Sequence, residues 1–473
     1  MTNRHGASAR HDVATRDVVI IGGGIAGLTA AWRLRHRDLV LLEASDRLGG
    51  RMRSDKRGEY WLNYGAHLFP APGSLVDTIA TELSLETVPV WGRMMGLAVR
   101  EAKLTTGPVE SYPLRLPLSI RDRAGFAIRG LKVQRAVAAY HRAARPRPAE
   151  KRAETRARVL AFEDQRTFAD FLGSMSADVE AIFACASHRA TAELDELSAG
   201  CGIGLFALVW GGKGSLIARN MLGGSGRLAA AIGDRLGPER VRVGAKATGI
   251  RDDGDGLVVD YIDTTGPQRL RARHVILAAQ APFAAPLAQE VAPAAADALG
   301  QMRYGAFLNV ALSTNEQTQM PWDAIYAMAT PGRVFDMFTN QAHALRRSGP
   351  RRPGGSLMLF AGGHGAAALA EQPDEVIVGR FVDDLVALFP EAAGVIEDAV
   401  VQRWPLGNVF ARPGRRLLQE PLEGALGGGR NLHLAGDYFA ELGNLEAAAR
   451  TGASAAAHVD RLLSGDRSEE TIQ

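Results

Sequence analysis

The sequence predicts an α/β protein in which a parallel sheet with an attached β-meander is interleaved with an α+β domain. Three observations lead to this fold class. A strand of β-branched residues, a glycine-rich turn and a helix follow one another within residues 18–35. A short apolar strand and an alanine-rich helix follow one another within 432–463, and two long stretches of mixed strand and helix patterns separate these segments.

The first segment has the spacing of a dinucleotide-binding Rossmann unit. Val18–Ile21 is typical of a parallel strand that is buried on both faces. A side chain at Gly22 or Gly24 would block a bound pyrophosphate, and Gly27 lets the following helix lie close to the sheet. A turn of this kind directly after a strand therefore predicts a phosphate-binding site.

The helix after the turn is predicted over Leu28–Arg35. Its free N–H groups, near Ile25 and Ala26, and its positive dipole end would face the phosphates. The second strand is predicted over Arg37–Leu42, and Glu43 at its end is placed to accept hydrogen bonds from the adenosine ribose hydroxyls.

Two further stretches decide which dinucleotide is expected, because NAD and FAD carry the same adenosine. Glu43–Arg51 resembles the signature of the flavoprotein superfamily that contains the amine oxidases, protoporphyrinogen oxidases and carotenoid desaturases. Asn431–Asp437 and Gly443–Gly452 resemble the second flavin motif of that superfamily. The resemblance implies FAD, and it extends to a third segment in which the backbone near Ala247 would hold the adenine.

The second flavin motif suggests a role for each of its parts. The carboxylate of Asp437 would bind a ribityl hydroxyl, and Gly436 would allow a close approach. A helix beginning near Asn444 and Leu445 would aim its first N–H groups at the pyrimidine edge of the flavin and stabilise negative charge there. Taken alone, this segment could equally be an ordinary capped helix. The cofactor-binding residues implied by all motifs are Gly22, Gly24, Ile25, Ala26, Gly27, Glu43, Ala44, Gly50, Arg51, Ala66, His67, Ala247, Gly436, Asp437, Asn444 and Leu445.

The order of the motifs predicts interleaved domains with polar tails. The resemblance covers the FAD-binding segments well and the substrate-binding segments only as a pattern. The predicted segments are 15–72, 220–282 and 424–463 for the FAD-binding domain, 73–219 and 283–423 for the substrate-binding domain, and 1–14 and 464–473 for disordered tails.

The composition fits a globular protein with a large core and excludes several other classes. The chain has 473 residues, 46% of them apolar, and a formal net charge of +3. Cys185 and Cys201 are the two cysteines, which excludes a disulfide framework and fits a cytoplasmic location. Neither has metal-ligand spacing, so no metal is expected, and neither lies in a flavin motif, so FAD is expected to be noncovalently held. The longest nearly apolar stretch, 200–212, is too short to span a bilayer.

Two residues are candidates for catalysis. The strand Gly305–Ser313 resembles the strand on which many amine oxidases carry a lysine that holds a water at flavin N5, and this chain has Asn309 there. His67 could act as a proton acceptor with a pKa near neutrality. Each could instead be an ordinary hydrogen-bonded structural residue. Asn444 stands where a monoamine oxidase would carry one tyrosine of its aromatic pair.

Positive charge is concentrated in 115–158, which holds thirteen Lys and Arg against three Asp and Glu. Residues 122–145 are predicted to form a helix with apolar residues on one face and Lys132, Arg135 and Arg142 on the other. Such a helix could contact an anionic membrane peripherally, on its inner face, or pack on its own protein with a solvated charged side. No aromatic residues interleave with the charges as in nucleic-acid-binding modules, so nucleic acid is not an expected partner.

The resemblance implies an FAD-dependent oxidase, dehydrogenase or desaturase that moves a hydride from a carbon centre of a largely apolar organic substrate to flavin N5. The expected electron acceptor is oxygen or a quinone-like molecule. Asn309 and Asn444 depart from the amine oxidase pattern and favour the protoporphyrinogen oxidase and desaturase side. The alternatives are an amine or amino-acid oxidase that releases hydrogen peroxide, a non-redox isomerase or mutase, and a noncatalytic flavin-holding subunit. The oligomeric state stays open.

Overall fold

The computed structural model describes most of the chain, and the predicted tails lie largely outside the described residues. Residues 1–14 and 466–473 belong to those outside parts. The described residues are 15–70, 72–91, 96–210, 216–348, 350–426 and 431–465.

The described chain alternates strands and helices. The strands are β1 Thr15–Ile21, β2 Leu39–Leu42, β3 Ser54–Arg57, β4 Tyr60–Asn63, β5 Thr87–Trp91, β6 Gly96–Val99, β7 Ala102–Leu104, β8 Leu216–Met221, β9 Val241–Arg242, β10 Lys246–Asp252, β11 Leu257–Asp263, β12 Gly266–Leu277, β13 Arg303–Thr314, β14 Ala327–Ala329, β15 Met337–Asn340, β16 Gly355–Gly362, β17 Ile396–Phe410 and β18 Leu432–Leu434. The α-helices are α1 Ile25–Arg33, α2 Leu75–Glu82, α3 Tyr112–Arg115, α4 Ile120–Ala144, α5 Arg152–Ala161, α6 Phe168–Leu172, α7 Ala177–Ser187, α8 Ala199–Trp210, α9 Gly226–Leu236, α10 Ala281–Ala288, α11 Pro293–Gly300, α12 His343–Ser348, α13 Gly363–Leu369, α14 Asp374–Leu388, α15 Gln419–Leu426 and α16 Leu445–Leu463.

The first sheet has the strand order β10-β11-β12-β1-β2-β9, with β18 beside β12. β1 pairs in parallel with β2 and β12, and β18 pairs in parallel with β12. β10, β11 and β12 form an antiparallel meander. Apolar clusters cover both faces of the central strands, which explains their continuous runs of β-branched residues. The predicted α/β class, with a parallel sheet and a β-meander, is confirmed.

The first helix and the second strand differ slightly from their predicted bounds. The helix begins at Ile25 and not at Leu28, because Gly24 has extended backbone angles and acts as the N-cap. The strand begins at Leu39 and not at Arg37, since a turn closed by the hydrogen bond from Arg37 N–H to the Leu34 carbonyl follows the helix. Both shifts leave the turn between strand and helix in place.

The second sheet has the order β17-β13-β16-β15-β14-β6-β7 and is antiparallel except where β14 meets β6. One face packs on α14 through a cluster that includes Leu308, Val310, Phe338 and Phe381. The opposite face carries Asn309 and is crossed by β4. The second sheet therefore has one face in an ordinary core and one face covered by β4.

A helical layer formed by α4–α8 packs beside the end of β17 in the second sheet. Val133 and Val137 of α4 are buried against Phe168, Phe183 and other residues of one cluster. The predicted apolar face of the basic helix thus packs on its own protein, and α4 spans Ile120–Ala144. None of the helices in the described part of the chain is long and apolar enough to cross a membrane.

Candidate functional site

The glycine turn after β1 is shaped by two close backbone contacts. Gly22 has φ +108°, and a Cβ there would lie 2.8 Å from the carbonyl oxygen of Ala278. A Cβ on Gly27 would lie 1.9 Å from the Gly22 carbonyl oxygen, so α1 rests directly on the turn. A bound pyrophosphate is the predicted reason for glycine at position 22. The structure adds a steric reason within the protein itself.

Gly24 differs from its neighbours in the turn. It has φ −73°, and a Cβ there would meet no described atom within 4 Å. No side chain caps the N-terminal end of α1 in the described part of the chain. Open space therefore adjoins a helix end whose N–H groups and dipole favour an anion, and Ile25 and Ala26 begin that helix. The turn fits a pyrophosphate.

Glu43 lies against the same turn. Its Oε2 accepts a hydrogen bond of 2.6 Å from Gly23 N–H, and its Oε1 accepts bonds of 2.8 Å from the Ser45 N–H and hydroxyl. The Glu43 carbonyl accepts from Ala245 N–H at 2.8 Å, which brings the segment leading to Ala247 beside the exposed Ala44. These residues from two chain segments surround one end of the turn, as a ribose and adenine site requires.

The two flavin motifs meet through an ion pair. Arg51 and Asp437 are 2.8 Å apart, and the Asp437 side chain is only 5% exposed. Gly50 lies close to Gly24, because a Cβ on Gly50 would be 3.4 Å from the Gly24 Cα. Arg51 also donates to the Gly407 carbonyl at the end of β17, at 3.2 Å. This ion pair therefore joins the glycine turn, the second motif and the second sheet at one place.

The second motif has the predicted strand–turn–helix order. Gly436 N–H donates to the Thr451 hydroxyl at 2.9 Å, and a Cβ on Gly436 would lie 2.4 Å from the Tyr438 ring. Asn444 caps α16, and its Oδ1 accepts from Ala447 N–H at 2.8 Å. The helix begins at the buried Leu445. A Cβ on Gly443, just before the helix, would lie 2.3 Å from Asp437 Oδ2, so the N-terminal end of α16 adjoins the Arg51–Asp437 ion pair, where a flavin ring would fit.

An aromatic pair lies on the face of the second sheet that β4 crosses. Asn309 is directly opposite Phe360 on β16 and Gln402 on β17, so the three side chains share one face. Phe307, two residues earlier, lies edge-on to Phe360 with ring centroids 5.6 Å apart. Both phenylalanines are half-buried. The sequence gave no signal for this pair, because the two rings belong to different strands.

The side-chain amide of Asn309 has a hydrogen-bond partner for its nitrogen but none for its oxygen among the described residues. Its Nδ2 donates to the Tyr64 carbonyl at 2.6 Å, and Trp404 Nε1 donates to the same oxygen at 2.6 Å. Its Oδ1 is buried and has no hydrogen-bond partner within the described residues. A buried acceptor without a donor is costly, so a donor supplied by a ligand or a water would stabilise this oxygen. The residues present thus fit a flavin edge beside Asn309.

His67 is held as a neutral imidazole. Its Nδ1 lies 2.8 Å from the Gly65 carbonyl and must donate there, which leaves Nε2 to accept from the Tyr326 hydroxyl at 3.1 Å and Gln341 Nε2 at 3.2 Å. Burial lowers the pKa of His67 to about 4. The prediction of a pKa near neutrality is therefore wrong, because the imidazole is desolvated. Its neighbour Ala66 donates its N–H to the Arg51 carbonyl at 3.1 Å.

The polar partners of His67 could not be predicted from the sequence. Gln341 accepts at Oε1 from Asn63 Nδ2 at 2.9 Å and links β4, β15 and the His67 segment in one buried network. Tyr326 precedes β14 and is 4% exposed. No local pattern marks these residues, since Tyr326 and His67 are 259 positions apart.

A charged cluster fixes the turn after α7. His188 Nδ1 is 2.6 Å from Asp336 Oδ1, and its Nε2 is 3.0 Å from Glu193 Oε2. Burial opposes the charge, but the hydrogen bonds to both carboxylates raise the pKa of His188 to about 10. The same hydrogen bond lowers the pKa of Glu193 to about 2. His188 is thus an imidazolium that ties the turn to the β15 and β16 ends. Among the described residues, no group of three His, Cys, Asp or Glu side chains is placed to hold a metal.

Comparison with families and curated proteins gives consistent relatives. A family model described as flavin containing amine oxidoreductase matches residues 25–460. A coproporphyrinogen III oxidase of Mycobacterium leprae is 26% identical over 404 residues, which cover 83% of this chain and 87% of that protein. An L-amino-acid oxidase of Crotalus adamanteus is 34% identical over 109 residues, or 21% of each chain. A probable flavin-containing monoamine oxidase A of Dictyostelium discoideum matches over 16% of its length at 35% identity. The chain therefore spans about a fifth or less of these last two relatives.

Solved structures share the fold over nearly the whole chain. Cyclohexylamine oxidase from Brevibacterium oxydans IH-35A superposes with a TM-score of 0.74 at 18% identity, covering 95% of this chain and 100% of that one. A putative protoporphyrinogen oxidase from Exiguobacterium sp. 255-15 superposes with a TM-score of 0.67 at 17% identity, covering 96% and 100%. At such identities the likeness establishes the two-domain fold and no particular substrate.

Proposed function

The chain belongs to the flavin-containing amine oxidoreductase family, and on that premise we propose that it is an FAD-dependent oxidoreductase that takes a hydride from a carbon centre of a largely apolar organic substrate. The observation that carries the proposal is the ion pair between Arg51 and Asp437. It places the two dinucleotide-binding motifs beside the aromatic face that carries Asn309. A cofactor and an apolar substrate would meet there.

The main chain and a few charged groups would hold FAD. The turn at Gly22 and Gly24 and the start of α1 suit the pyrophosphate, and Glu43 suits the adenosine ribose. Asp437 would bind a ribityl hydroxyl, and the N-terminal turn of α16 would stabilise negative charge at the pyrimidine edge. When bound, FAD supplies the two-electron acceptor for the hydride.

The residues on the substrate side would position the substrate and exclude water. Phe307 and Phe360 offer an apolar surface, and Asn309 Oδ1 offers one buried acceptor at the flavin edge. His67 is neutral and already bonded at both nitrogens, so it orients Tyr326 and Gln341 and does not act as a base. Hydride transfer depends chiefly on positioning and exclusion of water, which this face supports.

FAD is proposed to be noncovalently held, with oxygen or a quinone-like molecule as the acceptor. Cys185 and Cys201 are both buried, with their thiols at the carbonyls of Asp336 and Glu441 and outside the flavin motifs. Amine or amino-acid oxidation with release of hydrogen peroxide is the second candidate, favoured by the names of several relatives. Asn309 and Asn444 are the residues that favour the first candidate, and desaturation stays within it.

Anaerobic flavin reduction tests the proposal. The purified protein, with its FAD content measured, is mixed with fractionated metabolites while the flavin absorbance is followed, and air is then admitted. We expect one fraction to bleach the flavin, with recovery in air marking an oxidase and no recovery marking a dehydrogenase. Protein that holds FAD but that no fraction reduces would contradict the proposal and favour an isomerase or a noncatalytic role.

Peripheral membrane contact through α4 is proposed as well. Its solvent face carries Ile120, Ile128 and Leu131, which are 88%, 64% and 46% exposed, on the same side as Arg135 and Arg142. The sequence pattern predicts Lys132, Arg135 and Arg142 on this face and gives no signal for the three aliphatic residues. Exposed aliphatic residues among arginines suit the surface of an anionic bilayer.

Vesicle flotation at low salt tests this contact. We expect binding to anionic vesicles that the double substitution Ile120→Gln and Ile128→Gln reduces. Ile262→Gln is the matched control, because Ile262 is 48% exposed on β11, in the first sheet. Failure of the wild type to float with anionic vesicles would exclude the contact.

A further inference from the structure

Arg189 lies on a rigid turn between α7 and α8. The turn, His188–Ala190, is clamped by the bonds of His188 to Asp336 and Glu193. It approaches β16 closely, because a Cβ on Gly362 would lie 2.1 Å from the His188 carbonyl oxygen. The position of the Arg189 backbone is therefore fixed by contacts that its own side chain does not make.

The guanidinium of Arg189 has no partner of its own in the described part of the chain. Within the described residues, no hydrogen bond and no ion pair engages it, and the residue is half-buried. Asp336 and Glu193 are taken by His188, and the groups that act on Arg189 electrostatically are Cys185 and Tyr326. Burial raises the pKa of both of these groups, so both are neutral at pH 7. An arginine stays charged under such conditions.

The surroundings of Arg189 belong to the substrate side. Tyr326 donates to His67, and it packs in one small cluster with Val90, Met337 and the half-buried Phe360. Phe360 is the ring opposite Asn309. Tyr326 thus connects the surroundings of Arg189 to the face of the second sheet that carries Phe360 and Asn309.

We propose that Arg189 binds a carboxylate of the substrate. This inference rests on the proposed function and adds the substrate class: an organic anion whose apolar body lies on Phe307 and Phe360. A half-buried cation among neutral groups is costly until an anion pairs with it, and the planar guanidinium can bind both oxygens of one carboxylate. The same charge repels a substrate whose only charged group is an ammonium ion, which separates this chain from enzymes for simple amines.

Calorimetric titration with benzoate and benzamide tests the assignment. The two probes share shape and ring but differ in charge. We expect the wild type to bind benzoate at least about tenfold more tightly than benzamide. Arg189→Gln should remove that preference and leave benzamide binding unchanged, while Arg189→Lys should keep part of it. Arg380→Gln, on the exposed side of α14 beyond the other face of the sheet, is the matched control and should behave as wild type.

The outcomes separate this inference from the proposed function. Equal affinity of the wild type for both probes, no binding of benzoate, or an unchanged preference in Arg189→Gln overturns the carboxylate assignment. The FAD content and the flavin reduction of the same preparations report on the proposed function independently. If Arg189→Gln is poorly folded by circular dichroism, the wild-type preference and the Arg189→Lys titration still decide.

Discussion

The proposed binding sites beside the two large sheets are built from different parts of the chain. Beside the first sheet, the site consists mostly of main chain: Gly22, Gly24 and Gly27 act by lacking side chains. On the second sheet, the site consists of side chains such as Asn309 and Phe360, which distant segments bring together. The nucleotide side is therefore expected to be damaged by added atoms, and the substrate side by lost polar groups.

Gly27→Ala should give the largest effect. The new Cβ would lie 1.9 Å from the Gly22 carbonyl oxygen, which is backbone and cannot move aside alone. We expect a loss of about 3 kcal/mol in the free energy of unfolding and no FAD binding. Urea titration and flavin absorbance measure both. Gly130→Ala, in α4 where a Cβ meets nothing, should be neutral or slightly stabilising. A Gly27→Ala protein that is stable and binds FAD would contradict the expectation that added atoms damage the nucleotide side.

Arg51→Met should come next. It leaves the Asp437 carboxylate, 5% exposed, without its cation. We expect a destabilisation of about 3 kcal/mol and weaker FAD binding. The double variant Arg51→Met with Asp437→Asn should recover most of the stability but not the FAD affinity. Equal stability of the single and double variants would show that the ion pair does not join the two motifs.

His67→Gln tests the substrate side through the pH dependence of stability. The folded-state pKa of His67, about 4, lies below the unfolded value of about 6.5. The neutral imidazole therefore contributes its full stability above pH 6.5. This contribution is lost as the pH falls through 4. The unfolding temperature of His67→Gln should therefore fall less steeply than that of the wild type as the pH is lowered from 6.5 to 4. The pH profile of flavin reduction above pH 6 should not move, whereas a shifted profile would restore His67 as a base.

Asn309→Leu should change stability least. The lost bond to the Tyr64 carbonyl and the removal of the unsatisfied Oδ1 offset each other, to within about 1 kcal/mol. The rate of flavin reduction in stopped flow should nevertheless fall about tenfold, because the acceptor at the flavin edge is gone. An unchanged rate would place Asn309 outside the site.

The strand, turn and helix of the nucleotide side could be predicted from the sequence because the signals for them are local. A strand, a turn and a helix within residues 15–33 follow from periodicity and glycine spacing, and Asp437 follows from a second short motif. The ion pair between Asp437 and Arg51 became visible only in the structure, although the family resemblance implies that both residues lie near the flavin.

The substrate side could not be predicted in the same way. Phe307 with Phe360, and His67 with Tyr326, become neighbours only through the register of β13 with β16 and the packing of β4 on that sheet. Sequence periodicity places residues on a strand face but does not say which strands are adjacent. The pKa of His67 was missed for the same reason, since desolvation depends on neighbours from distant segments.

The affinity of Gly24→Ala for FAD tests the central claim most directly. The added methyl meets no described atom within 4 Å and should cost at most about 1 kcal/mol in the free energy of unfolding. It would, however, occupy the space assigned to the pyrophosphate. We predict an apoprotein as stable as wild type within that margin and an FAD affinity weakened about a hundredfold, measured by titrating FAD into apoprotein. Wild-type affinity in Gly24→Ala would show that the cofactor is not bound at this turn and would contradict the account.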